Sequence, residues 1–282
     1  MLKPVQNDLS IADLFQGNLQ LASPPTVYSE LQAVIDDPTK FLADAAFIIE
    51  KDAALAINLL KIVNNAFYGF PAQISSISQA INLIGTKELQ NIVLSTIVME
   101  RFSNIPSELM SMHDFWARNL RCALISQEID HHLGKEYNHA VFICGLLHHI
   151  GQLVFFLRIP ELTRETSLIL QAMENPSDID ERKAEESVIG FNHYQAGAAL
   201  TELWKLPEVI TASIKLHAYP GHTGTYQKIA AIVRLADGYS HIDRDWSTID
   251  TSSLNISTYE LSEIIDKTHE RFEEIFKVFY HG

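Results

Sequence analysis

Apolar residues recur along this chain at intervals of three and four, and no sustained alternation of apolar and polar residues appears. That period puts apolar side chains on one face of an α-helix, whereas a half-buried strand needs a period of two. After Pro24-Pro25, Thr26 opens a helix through Val27, Leu31 and Val34, which Asp36-Asp37-Pro38 stops. Thr39 starts another through Phe41, Leu42, Ala45 and Ile49. Asp52 is the expected N-cap of a third, carrying Leu55, Leu59, Ile62 and Val63. The segment Asn64 to Pro71 breaks the pattern. A short helix over 78–84 ends at Gly85, and Thr86 is expected to cap a longer one with Leu89, Ile92, Val93, Ile97 and Met99 on its apolar face.

Ser103-Asn104-Ile105-Pro106 is the expected joint between two subdomains. Beyond it the pattern predicts helices over 115–133, 138–157, 160–173, 178–189, 192–204, 207–216 and 226–239. A tail helix over 258–279 is expected to dock through Ile264, Ile265, Phe272, Ile275 and Phe276. The fold class is therefore all-α, with two packed helical subdomains over 21–105 and 106–245. An N-terminal extension, 1–20, and a C-terminal helical extension, 246–282, flank them.

Charge narrows the function. Lys plus Arg number 21 against 35 Asp plus Glu, a formal charge of −14. Nucleic-acid backbones select cationic surfaces through counterion release, so nucleic acid is not an expected partner. Cys122 and Cys144 lie in apolar helical contexts without a CxxC partner and read as buried free thiols. The start, Met-Leu-Lys-Pro-Val-Gln-Asn-Asp, has no apolar run of the signal-peptide kind. The stretch 140–157 lacks Asp, Glu, Lys and Arg, but His148 and His149 at its middle would be costly in lipid. It reads as the most buried helix of a core, with no membrane partner and a cytoplasmic location expected.

Three features carry chemistry. One is Gly145-Leu146-Leu147-His148-His149-Ile150-Gly151, another is His193 within Gly190 to Gly197, and the third is His217 with the later Asp237. Imidazole and carboxylate hold divalent transition metals, and helices of a bundle can project them into a shared core. Any one of these histidines alone is more simply a buried imidazole bonded to its neighbours. His148 and His149 are about 100° apart on a continuous helix, so both are not expected to face one site.

At these residues the chain resembles the HDOD family, the output-type relatives of the HD metal-dependent phosphohydrolases. The resemblance runs from about Leu21 to His241. It is carried by Ser23-Pro24-Pro25-Thr26-Val27, Ile49 to Leu55, Val63-Asn64-Asn65-Ala66-Phe67-Tyr68, Ile74 to Ile81 and Leu83-Ile84-Gly85. In the second half it is carried by Gly145-Leu146-Leu147-His148, His193 to Leu200, Trp204 to Glu208 and His217 to Pro220. It implies an HD-like helical core in the C-terminal subdomain and a signal-transduction output or scaffold role. The family is often attached to receiver or cyclic-nucleotide domains; none is present here, so a signalling protein acting in trans is the expected partner.

The departures from the HD pattern matter as much. Active HD enzymes resemble one another in a first His, a His-Asp pair and a later Asp. Here Arg118 stands at the first-His position, and the pair reads His148-His149. His148 and Asp237 remain, with His193 and His217 resembling auxiliary ligands. A guanidinium cannot ligate a metal and, at ~4 Å and an effective dielectric near 20, repels a divalent ion by several kcal/mol. The expected function is a non-catalytic signalling module with no required metal; the alternative is a metal-dependent phosphohydrolase acting on a nucleotide or another phosphate ester. Arg118, His148, His149, His193, His217 and Asp237 form the vestigial centre, and any residual metal would fall to His148, His193, His217 and Asp237. Arg118 is expected to pair with Asp237 in place of the ion, the alternative being an Arg118 that faces solvent. Phe67, Tyr68 and Phe70 are either core aromatics at a helix end or partner-binding anchors.

Overall fold

The computed structural model describes residues 9–65, 68–137, 139–241, 249 and 251–280, and every regular element among them is helical. Five helices build the N-terminal bundle: α2 (Thr26–Asp36), α3 (Leu42–Glu50), α4 (Ala53–Val63), α5 (Ile77–Ile84) and α6 (Thr86–Arg101). They follow a short α1 (Leu19–Ala22). Asp52 caps α4 as expected, its carboxylate accepting from the Ala54 and Leu55 amides at 3.0 Å. Gly85, at φ 82°, both ends α5 and starts α6, a backbone angle that a side chain would strain. Thr86 is therefore the first residue of α6 and not its cap.

The second bundle holds α7 (Met112–His132), α8 (His139–Leu147), α9 (Ile150–Arg158), α10 (Pro160–Gln171), α11 (Asp178–Val188), α12 (His193–Leu203), α13 (Glu208–Leu216) and α14 (Gln227–Ser240). Helix α7 lies against α8 and α14, while α12 lies against α9 and α13. The apolar stretch from Ala140 to Arg158 is long enough to cross a membrane, but 78% of its most apolar window is buried inside the protein. Reciprocal caps start α11 and α12, with Ser177 answering Asp180 and Asn192 answering Gln195. Both cysteines are buried and unpaired.

The two bundles share one continuous apolar core. Helix α15 (Thr258–Phe279) lies across α7 of one bundle and α4 of the other. All five residues expected to dock it are buried. Arg121 of α7 also lays its guanidinium 4.0 Å from the Phe272 ring centre. The segment before α2 reaches the opposite way. Arg158 donates to the carbonyls of Leu14 and Gln16 at 2.6 and 2.7 Å, and the Trp204 indole donates to Leu21 at 2.8 Å.

Candidate functional site

The site assembles where the expected long helix breaks. α8 ends at Leu147 and α9 begins at Ile150, leaving His148 and His149 in a turn with His149 at φ −106° and ψ 17°. This break overturns the expectation that the two rings diverge by one helical step. Their centroids are 4.0 Å apart, and both face Asp237 of α14. The flanking glycines hold the break in place. A Cβ on Gly145 would meet the Ala123 backbone of α7 at 2.6 Å, and one on Gly151 would meet the Gly197 amide of α12 at 2.7 Å. The turn is thus clamped between the helix that carries Arg118 and the helix that begins with His193. His217 comes in from the end of α13.

Arg118 reaches Asp237, as the sequence led us to expect. Its Nη2 and Nε donate at 2.9 and 3.3 Å, both to Oδ1 and not one to each carboxylate oxygen. The Ser240 hydroxyl approaches the same oxygen at 3.3 Å. Burial alone would raise the Asp237 pKa, but Arg118, followed by His148 and His149, holds it well below the usual carboxylate range. The Arg118 side chain is 22% exposed, against 5% for Asp237, so it covers the carboxylate on the solvent side. Burial opposes the guanidinium charge, and Asp237, Glu181 and Asp178 more than restore it.

The histidine tautomers follow from their partners. His148 Nδ1 lies 2.6 Å from the Gly145 carbonyl, and His217 Nδ1 lies 3.1 and 3.0 Å from those of Ser213 and Ile214. A carbonyl only accepts, so both Nδ1 atoms carry a proton. Burial is the largest cause that lowers the pKa of His149 well below its usual value and that of His217 to about 3, with His148 adding to both. The rings of His149 and His217 are therefore neutral. Neither Nε2, and neither nitrogen of His149, has a protein hydrogen-bond partner, although these atoms are inaccessible to solvent. His148 Nε2 does lie 3.1 Å from Asp237 Oδ1, a close approach without hydrogen-bond alignment.

His193 sits beside this group, 5.0 Å from the His149 ring centre, but belongs to a second one. Its Nδ1 is 2.8 Å from both oxygens of Glu185, and its amide donates to Oε2 at 2.9 Å. Burial works against a charged His193, and Glu185 outweighs it, so the pKa is raised. Glu181, one turn before Glu185, accepts from Gln152 at 2.7 Å. The sequence reading missed both glutamates. Their signal is the i, i+4 spacing on α11 and a capped turn that returns the chain to His193 eight residues after Glu185.

Among the described residues, one set of donors with atoms within 4.8 Å of one another is His148, His149, His217 and Asp237, with His149 where His193 was expected; His193 instead groups with Glu181 and Glu185, and Asp178, Asp237 and His241 form a third set. These residues fit a divalent metal. Three imidazoles and a carboxylate converge in a buried space, and no Nε2 atom among them has a hydrogen-bond partner among the described residues. The carbonyl bonds at Nδ1 are the outer partners that orient metal-binding histidines. Of the aromatic anchor candidates, Phe67 lies outside the described residues. Tyr68 and Phe70 are half-buried against the core, the Tyr68 hydroxyl donating to Glu88 at 2.7 Å.

An all-helical bundle with this histidine and aspartate centre defines the HD-like class. Within it, the chain belongs to the HDOD domain family, whose model matches residues 21–220. An uncharacterized protein of Treponema pallidum is 31% identical over 209 residues; the match covers 74% of this chain but 39% of that relative. A candidate phosphohydrolase of Shewanella amazonensis superposes with a TM-score of 0.75 at 23% identity, covering 95% of this chain and 98% of the other. An HDOD domain protein of Geobacter sulfurreducens gives 0.71 at 22% identity over 91% of both chains. At these identities the structural likeness speaks for the fold alone.

Proposed function

We propose that this chain is a non-hydrolytic HDOD signalling module whose histidine and aspartate centre holds helices together and does not turn over substrate. The observation that carries this reading is the burial of the centre beneath Arg118. His148, His149, His217 and Asp237 are between 0 and 3% exposed. Hydrolysis of a phosphate ester needs the ester and an attacking water at the metal, and neither reaches donors so enclosed. His148, His149, His217 and Asp237 would hold a metal, and a bound ion would supply a fixed positive charge and Lewis acidity there. Arg118 neutralises Asp237 and closes the solvent side of the centre. The signal passes by protein contact in trans, for which we propose the half-exposed rings of Tyr68 and Phe70.

The test is turnover. The purified 282-residue chain with added Mn2+ or Ni2+ should leave phosphomonoesters, phosphodiesters and cyclic dinucleotides at background. Metal-dependent turnover that disappears in His148→Ala would refute the reading. The second reading, a metal-dependent phosphohydrolase, is favoured by the unpartnered imidazole nitrogens, and the same assay separates the two.

A further inference from the structure

A cavity of about 190 Å³ lies between α9, α10 and α11. Met110, Phe155, Phe156 and Leu170 form its apolar wall. Phe155, Thr166 and Glu185 are buried at its floor, whereas Met110, Gln152 and Glu181 are half-buried at its mouth. The hydroxyls that line it have their protons engaged elsewhere. Thr163 donates to the Ile159 carbonyl at 2.9 Å, Thr166 to that of Leu162 at 3.1 Å and Ser167 to that of Thr163 at 3.0 Å. A hydroxyl has one proton and two lone pairs, so these three side chains offer the cavity only acceptors. Glu181 adds a carboxylate. Its Oε1 accepts from Gln152 at 2.7 Å, and its Oε2 accepts no hydrogen bond from the described residues. Glu185 turns both of its oxygens to His193. The cations that act on Glu181, His193 and Arg118, make their short contacts to other carboxylates. A carboxylate set against an apolar wall without a cation of its own is costly.

We infer that this cavity binds a small primary alkylammonium ion, its ammonium bonded to Glu181 and the α10 hydroxyl oxygens and its alkyl stem laid against Phe155, Phe156 and Leu170. A primary ammonium carries three donors and no acceptor, the complement of a wall whose oxygens accept. Its charge also supplies the partner that Glu181 lacks within the cavity. A neutral alcohol brings no such charge, and a quaternary ammonium has no N–H. Magnesium and calcium take shells of oxygen ligands and waters, which would leave the phenyl rings wet, whereas an alkyl stem covers them. A cavity of roughly 150 Å³ holds benzene, so one of about 190 Å³ has room for an ion with a short alkyl chain. Bound there, the ion ties α10 to α11 beside the Glu185–His193 pair, so occupancy is felt at the helix that begins with His193. Such binding is independent of whether the histidine and aspartate centre turns over phosphate esters.

The experiment is calorimetric titration of the purified 282-residue chain with n-butylammonium chloride at neutral pH. One saturable site in the millimolar range is expected for so small a probe. At matched concentration, n-butanol and tetramethylammonium chloride should give no saturable heat, the first for lack of charge and the second for lack of donors. Glu181→Gln keeps the shape of the side chain and removes its charge. It should weaken n-butylammonium binding at least about tenfold, the low end of what a hydrogen bond to a charged group contributes. Should that variant not fold, the comparison of the three probes on the wild-type chain decides alone. A wild-type chain that does not bind n-butylammonium, equal binding of tetramethylammonium, or wild-type affinity in Glu181→Gln overturns the site. Saturation by Mg2+ or Ca2+ in place of n-butylammonium would give the carboxylate to a metal and overturn it as well.

Discussion

Gly151 and Gly197 meet backbone to backbone where α9 crosses α12. A Cβ on Gly151 would come within 2.7 Å of the Gly197 amide and would also overlap the His193 carbonyl, and one on Gly197 would come within 3.1 Å of the Gly151 amide. Only the absence of side chains lets the two helices approach this closely, and the approach sets the spacing between His149 and His193.

Gly151→Ala should therefore destabilise the protein well beyond an ordinary glycine-to-alanine change in a helix, which is mildly stabilising on propensity alone. The obstructing atoms are backbone and cannot rotate away. We expect a loss of about 3 kcal/mol or more, the upper end of overpacking costs, measured as a fall in urea midpoint at constant slope. Unchanged stability would mean that the helices are not in contact here.

Arg118 and Asp237 make the second prediction. Arg118→Ala removes the cation from a carboxylate that is 5% exposed. Stranding one member of a buried pair costs about 3–5 kcal/mol, and the partial exposure of Arg118 places the expected loss near the low end. Arg118→Lys keeps the charge but not the paired Nη2 and Nε donors, so it should recover part of the loss. Denaturant unfolding of the chelator-stripped variants distinguishes the three proteins.

Helix existence was legible because burial and period coincide. Leu55, Leu59, Ile62 and Val63 lie on one face of α4 and are all buried, and Asp52 caps the helix as its type demands. The site was legible only as a set of residue types. A continuous apolar run gives no sign that the helix breaks at His148-His149, where Gly145 packs against α7 and Gly151 against α12 on either side of the turn. Those contacts are tertiary, and they turned two rings expected to diverge into neighbours. Glu185 escaped notice for a related reason. It lies on α11, which is rich in charged residues, yet it is 4% exposed and paired with His193.

The N-terminal segment buries Leu14, Phe15 and Leu21 in the core, and Trp204 and Arg158 fasten its backbone to the second bundle. Trp204 is 1% exposed and its indole meets the Leu21 carbonyl at 2.8 Å. Trp204→Phe leaves that carbonyl without its donor, at a cost on the order of 1–3 kcal/mol. Arg158→Ala removes the two bonds to Leu14 and Gln16. In the double variant, limited proteolysis should cut first near residues 14–22 while the bundles stay intact. Simultaneous loss of the whole chain would show that the segment is integral to the fold.

His149→Asp separates the ligand set from the closure of the centre. The substitution recreates a His-Asp pair beside Asp237 and replaces a borderline imidazole with a hard carboxylate, so Mn2+ binding should strengthen relative to Zn2+. If ligand identity alone accounts for the proposed lack of hydrolysis, this variant would gain phosphoesterase activity. The structure argues against that outcome. His148, His217 and Asp237 remain buried, and Arg118 still covers Asp237 from the solvent side. A metal-bound water also needs an open coordination position next to the ester, which the packed α8–α9 turn does not offer. The expected result is a protein with altered metal preference, read by competition between Mn2+ and Zn2+, and with p-nitrophenyl phosphate hydrolysis still at background. Manganese-dependent turnover by His149→Asp would place the block in residue 149 itself and would show that the helices open enough to admit substrate.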